Sequence, residues 1–329
     1  MIVVRRLALV VLALVCAAVA PAAAQKHGAA KAPEAGAPAQ GGEHAAPAAG
    51  GGTVDIITPH ITDSHHIEFP YWKPPFVTEV ELPTGWVVHA GSVTLDLSPT
   101  KHVVMLLLAS TLMAVLLIYS ARTQARQHET HGHAKGLAGA IEGVILYMRD
   151  EVILPNVGPH GNGFVPYLLT IFFFILGANL LGLFPYLSTA TGNISVTAAL
   201  ALMTFLVIEI SGMRALGKGY INTIIFWPHD MSLAMRIPMS LIISPIELIG
   251  KFARPFALAI RLFANMTAGH IVVLAFIGMI FLFASVASVA PFVMAIGIML
   301  LELAVGFIQA FVFTLLASVF IGQVRVAHH

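Results

Sequence analysis

Phe252-Ala-Arg-Pro-Phe-Ala-Leu-Ala-Ile-Arg-Leu-Phe-Ala-Asn-Met-Thr-Ala-Gly-His270 decides the fold of this chain. It lies inside an otherwise almost wholly apolar run, residues 237–290, yet carries Arg254, Arg261, Asn265 and His270, with Glu247 and Lys251 just upstream. A charge at membrane depth costs several kcal/mol and marks an ion or substrate pathway by default. The surroundings of Arg261 therefore set the problem.

A soluble chain would hold about a quarter charged residues. This one has 10% charged and 58% hydrophobic residues, with a mean hydropathy of +0.87. It reads as a polytopic membrane protein in a lipid bilayer. The formal charge of +1 offers nothing to nucleic acid, and a single cysteine, Cys16, excludes an internal disulfide framework.

Residues 1–24 read as a signal peptide: Arg5 and Arg6, an apolar core over residues 7–20, then Pro21-Ala-Ala-Ala24. The core is short for a span, which favours a cleaved signal over an uncleaved first membrane helix. Residues 25–52, rich in Ala, Gly and Pro, have nothing with which to build a core and read as a disordered linker. Residues 53–99 read as a small extracytoplasmic segment with alternating stretches at 77–82 and 93–97. His60, His65 and His66 fit no ligand spacing, so no metal or cofactor is expected.

Residues 100–329 read as an all-α membrane domain with spans near 101–120, 163–186, 194–213, 237–283 and 291–322. Arg122 and Arg126 follow the first span, Arg214 and Lys218 the third, and Arg325 the last, whereas the loop at 187–193 is uncharged. Positive residues favour the cytoplasm, so the mature amino terminus should lie outside and the carboxyl terminus inside. Between the first two spans, Ile141, Val144, Ile145, Met148, Val152 and Ile153 recur at helical spacing beside Glu142, Arg149, Asp150 and Glu151, the pattern of an amphipathic surface helix. His128, His131 and His133 before it read as solvated. Glu209, near the end of the third span, reads as reaching interfacial water.

Residues 237–283 would make a helix of roughly 70 Å, more than twice the ~30 Å hydrocarbon thickness. It must tilt steeply, kink or fold back, with Pro238, Pro245 and Pro255 as kink sites. The next run is also overlong, so two long helices lying oblique as a hairpin is the preferred reading. At about 100° per residue, Glu247, Arg254, Arg261 and Asn265 fall within about 40° of one another, Lys251 sits at the stripe's edge, and His270 points about 180° away. In the last helix Glu302 and Gln309 share a face. Arg261 and Gln309 are equidistant from residue 285, and His270 and Glu302 from residue 286; both centres fall in the turn between the helices. A hairpin therefore places Arg261 level with Gln309, and His270 level with Glu302 roughly 10 to 13 Å nearer the outside. Such pairs can simply hold helices together. Two in register beside an arginine stripe favour an ion pathway instead.

These residues resemble a family. Arg261-Leu-Phe-Ala-Asn-Met-Thr-Ala-Gly-His270, with Gln309-Ala-Phe-Val-Phe313 after it and Asn179 to Pro185 and Asn193-Ile-Ser-Val-Thr197 before it, is similar to subunit a of the F-type ATP synthase membrane sector. The resemblance covers residues 101–322; upstream, only Asp63-Ser-His-His66 has a loose counterpart in some members. It implies a multi-pass subunit of the bacterial inner membrane, non-catalytic on its own, working in the proton-transporting two-sector ATPase. Its implied partners are a rotating c-ring, whose carboxylate Arg261 would face, and the subunit b stator stalk. Gln309 would neighbour Arg261, and Asn265, His270 and Glu302 would line a half-channel open to the outside. His270 and Glu302 stand exchanged relative to some members. The alternatives are a secondary transporter centred on Arg261, for which no internal repeat is found, and coupling to sodium rather than protons.

Overall fold

The computed structural model describes residues 64, 66–70, 77–82, 87–90, 93–96, 99–131, 135–159, 161–184, 187–217, 219–220, 233–283 and 286–326. The expected signal peptide and linker, most of the histidines upstream of the first span, and the carboxyl end lie outside the described residues.

Two antiparallel hairpins precede the helices. Strand β1 (His66–Pro70) pairs with β2 (Val77–Glu81), His66 opposite Glu81, and β3 (Val87–Ala90) pairs with β4 (Val93–Asp96). The two alternating stretches legible in the sequence are thus each paired with the run just before them, not with one another. Pro70 closes β1, an edge strand of a two-stranded pair and so a strand that tolerates proline. A backbone bond from Lys101 N–H to the Ser64 carbonyl, 3.0 Å, ties the residue before this region to the first helix.

The membrane domain is helical. α1 (Lys101–His131) is followed by α2 (Gly136–Tyr147), a π-helical turn at Met148–Ile153, α3 (Leu154–Val157), α4 (Val165–Gly182), α5 (Ile194–Leu216), α6 (Leu233–Phe283) and α7 (Val289–Val326). Five of these, α1 and α4 to α7, are long and apolar enough to cross a membrane. Local chemistry sets their ends: the Asn193 side chain accepts from the Ser195 N–H at 2.8 Å to cap α5, and Gly217, at φ +55°, ends it. The π turn precedes Pro155, whose ring and missing N–H disturb the carbonyl one turn back.

The α2–α3 segment turns some of its side chains inward and others out. Ile141, Met148, Val152 and Ile153 are buried and Arg149, Asp150 and Glu151 exposed. Val144, expected on the apolar face, is exposed, because the inward face steps from Ile141 to Ile145 and Met148. His128 meets Glu142 at 3.1 Å across the α1–α2 connection.

α4 is the central post. Of its most apolar stretch 78% is buried within the protein, against 22% for α6 and for α7, so the last two helices keep an open face. Phe172, Phe174 and Ile175 of α4 pack with Leu106 of α1, Leu200 of α5, Leu262 of α6 and Phe313 of α7. α6 is a single helix of 51 residues running through Pro238, Pro245 and Pro255, which excludes the fold-back. For its apolar length to stay within the bilayer it must lie roughly 50 to 65° from the normal.

Lipid removes the hydrophobic drive between helices, so close approach at small residues matters more than in water. A Cβ on Gly322 of α7 would land on the Asn156 carbonyl oxygen, a backbone group that cannot swing aside. Arg325 fastens the same crossing, donating from Nη1 to the Val157 carbonyl at 3.2 Å and from Nη2 to the Pro159 carbonyl at 3.1 Å. Gly322→Val is expected to destabilise this crossing by about 1 to 3 kcal/mol. A lower melting temperature of the purified complex would show it, and an unchanged one would contradict the packing.

Candidate polar seam between the last two helices

Arg261 lies on the exposed side of α6, as do Glu247, Arg254 and Asn265, so the stripe read from helical spacing exists. Among the described residues Arg261 makes no ion pair or hydrogen bond. Lys251 departs from the stripe: its side chain turns inward, 3.6 Å from the Glu209 carboxylate and 3.0 Å from the Tyr220 hydroxyl. Glu209 is therefore paired with another helix, not merely reaching interfacial water. Arg254 donates to Gln323 Oε1 at 3.3 Å and stacks 5.0 Å from the Phe320 ring on α7.

His270, half a helical turn round from Arg261, is 5% exposed, and Glu302 on the facing helix is also 5% exposed. Glu302 reaches the backbone beside His270 because Gly269 has no side chain: a Cβ there would sit 3.2 Å from the Glu302 carboxyl carbon and from its Oε1. The carboxylate thus lies against the backbone beside His270, at the level that counting from the turn assigned to it. Glu302 Oε1 and the Thr267 hydroxyl, one turn before His270, are buried without a hydrogen-bond partner among the described residues. Gln309 is buried at 7% exposure on the same face as Glu302, and no hydrogen bond joins it to Arg261 among the described residues.

Sequence reading missed the third wall of this seam. Asn179 of α4, 1% exposed, donates to the Gly306 carbonyl of α7 at 3.1 Å and accepts from the Thr191 hydroxyl at 2.8 Å; Thr191 in turn meets Thr189 at 2.8 Å. Gly306 lies one turn from Glu302, and its missing side chain lets Asn179 approach, with a Cβ there only 3.3 Å from that of Asn179. The position of a Cβ on Gly192, beside Thr191, is 3.8 Å from the Thr267 hydroxyl. Asn, Thr, His and Glu from α4, α6, α7 and the α4–α5 connection thus line one buried polar seam, with Arg261 on the opposite, outward side of α6. The signal available in the sequence was Asn179 alone, a polar residue in a run of leucines, without a hint of its partner 127 positions away.

A family profile described as ATP synthase A chain matches residues 103–322, from the first turn of α1 to the last turn of α7. The chain belongs to the ATP synthase A chain family. Among its relatives, ATP synthase subunit a 2 of Chlorobaculum tepidum is 43% identical over 273 residues, 82% of this chain and 72% of the relative. ATP synthase subunit a of Chloroherpeton thalassium is 42% identical over 272 residues, 82% of this chain and 76% of its own length. ATP synthase subunit a of Chlorobium phaeobacteroides strain BS1 is 41% identical over 332 residues and covers 96% of this chain and 92% of its own. That last alignment also takes in most of the region before α1. Membership of the ATP synthase A chain family, with five apolar helices, makes this a multi-pass membrane component of ATP synthase. It replaces the secondary-transporter alternative.

Proposed function

We propose that the chain is the proton-conducting stator subunit of a bacterial inner-membrane ATP synthase, and that the buried seam is its half-channel from the outside. The observation that carries this reading is the buried Glu302 carboxylate lying against Gly269, next in sequence to buried His270, with oxygens of Glu302 and Thr267 left without hydrogen-bond partners among the described residues. A buried polar oxygen without a partner costs about 1 to 3 kcal/mol, so a purely structural pairing of helices would not leave two of them. A path of water and protons supplies what they lack.

In this reading the α4–α5 connection faces outside, and the ends carrying Arg214 and Arg325 face the cytoplasm. A proton enters beside Thr189 and Thr191, passes His270 and Glu302, and neutralises a carboxylate on a c-ring lying against the open face of α6 and α7. The ring turns, carrying the neutral carboxyl into lipid, and after nearly a full turn the proton leaves through the cytoplasmic half-channel. Arg261 favours the ionised ring carboxylate by its positive charge and keeps protons from crossing directly between the half-channels. Gln309 and Asn265 flank it, Glu247 and Arg254 continue the stripe, and subunit b holds the assembly against rotation. Histidine titrates near neutral pH, which suits a relay.

ATP-driven acidification of inverted vesicles containing the whole complex tests the choice of ion. Pumping should proceed at full rate in sodium-free buffer. Hydrolysis that requires sodium would replace the proton by sodium in this reading.

A further inference from the structure

We infer that Lys251, Glu209 and Tyr220 form a clamp that positions Arg261 by holding α6 against α5. The inference rests on the role proposed above for Arg261. Lys251 and Glu209 side chains are only 14% and 18% exposed, and theirs is the one ion pair between two of the five spans among the described residues. The Lys251 ammonium also lies 4.5 Å from the centre of the Tyr220 ring, a second attraction for the same cation. Tyr220 is itself buried and packs on α5 at Gly212, where a Cβ would come within 2.8 Å of its ring. One turn further along α6, Arg254 grips Gln323 and Phe320 of α7. Two cations one turn apart thus hold α6 from two sides.

The grip falls where α6 lacks a ladder bond. Pro255 cannot supply the N–H that would close onto the Lys251 carbonyl, so the backbone is weakened in the turn bearing the clamp. Side-chain ties must then set the direction in which the helix continues. Arg261 follows Lys251 by ten residues, roughly 15 Å, so a small change of direction at the clamp displaces its guanidinium. Removing either charge leaves the other largely shielded from water without its counter-charge, the costly half of an ion pair.

The test compares Lys251→Met, Glu209→Gln and the charge exchange Lys251→Glu with Glu209→Lys, in whole complexes, with Arg261→Ala alongside. Three quantities are read: complex assembled, ATP synthesis per assembled complex, and passive proton leak once the catalytic sector is stripped off. Each single variant should lose roughly tenfold in synthesis per complex and leak more, and the exchange should recover most of it, a coupling usual for contacting residues. A clamp that served folding alone would lower abundance without raising leak per complex, and that result overturns the inference. So do wild-type values in the single variants, or an exchange that assembles normally without recovery. Should the single variants fail to accumulate, Tyr220→Phe keeps the ring on Gly212 and removes only the hydroxyl: raised leak supports the clamp and unchanged leak overturns it. If Arg261→Ala itself sustains synthesis, the proposed function fails; if it is blocked while the Lys251 and Glu209 variants behave as wild type, only the clamp fails.

Discussion

Arg261→Ala should abolish proton-driven ATP synthesis in vesicles while leaving the amount of assembled complex unchanged. Both halves of this expectation follow from one geometry. The guanidinium sits on the exposed side of α6 and makes no ion pair or hydrogen bond among the described residues, so removing it breaks no contact that holds the helices together. It also relieves the chain of a charge that costs about 2.5 to 3.5 kcal/mol to insert at mid-membrane. The loss therefore falls on whatever the cation meets outside the chain, which the proposal identifies as a ring carboxylate. Arg261→Lys should fail as well, because a desolvated ammonium gives up its proton where a guanidinium does not. Wild-type synthesis in the Ala variant would sink the assignment. Normal synthesis in the Lys variant alone would reduce the role of Arg261 to that of any fixed charge.

The second large effect concerns the inner wall of the hairpin. Deleting either His270 or Glu302, as His270→Ala or Glu302→Ala, should cut synthesis by about a hundredfold, the low end for a positioned proton-transfer group. Exchanging them, with His270→Glu and Glu302→His in one chain, should cost less. The two side chains occupy one buried level across Gly269, so an exchange keeps one acid and one imidazole in the same place. An exchange as damaging as either deletion, at equal assembly, would argue against a shared relay.

How much of this was legible beforehand depended on whether the partner lay on the same helix or was fixed by a turn. The opposition of Arg261 and His270 follows from 100° per residue, and the structure has one exposed and the other buried. The level shared by His270 and Glu302 follows from a hairpin centred near residue 286, and Glu302 meets Gly269. Neither argument reaches across unrelated helices. Asn179 finds Gly306, and Lys251 finds Glu209, only once α4 to α7 are packed, and no periodicity encodes that packing. Length arithmetic left α6 free to tilt, kink or fold back, because prolines permit all three and tertiary contacts choose. The pairing of β1 with β2 was missed for a related reason: His66-Ile67-Glu68-Phe69 alternates over only four residues before Pro70, and its partner strand supplies the register.

The unbroken course of α6 through its prolines has a consequence for water. Pro245 and Pro255 lack the N–H groups that would otherwise cover the carbonyls of Leu241 and Lys251. Without those intrahelical donors, the two carbonyls can accept only from a side chain, a neighbouring element or solvent. A substitution that restored an N–H at Pro245 or Pro255 would close the helix ladder there and withdraw that carbonyl from whatever other donor it meets.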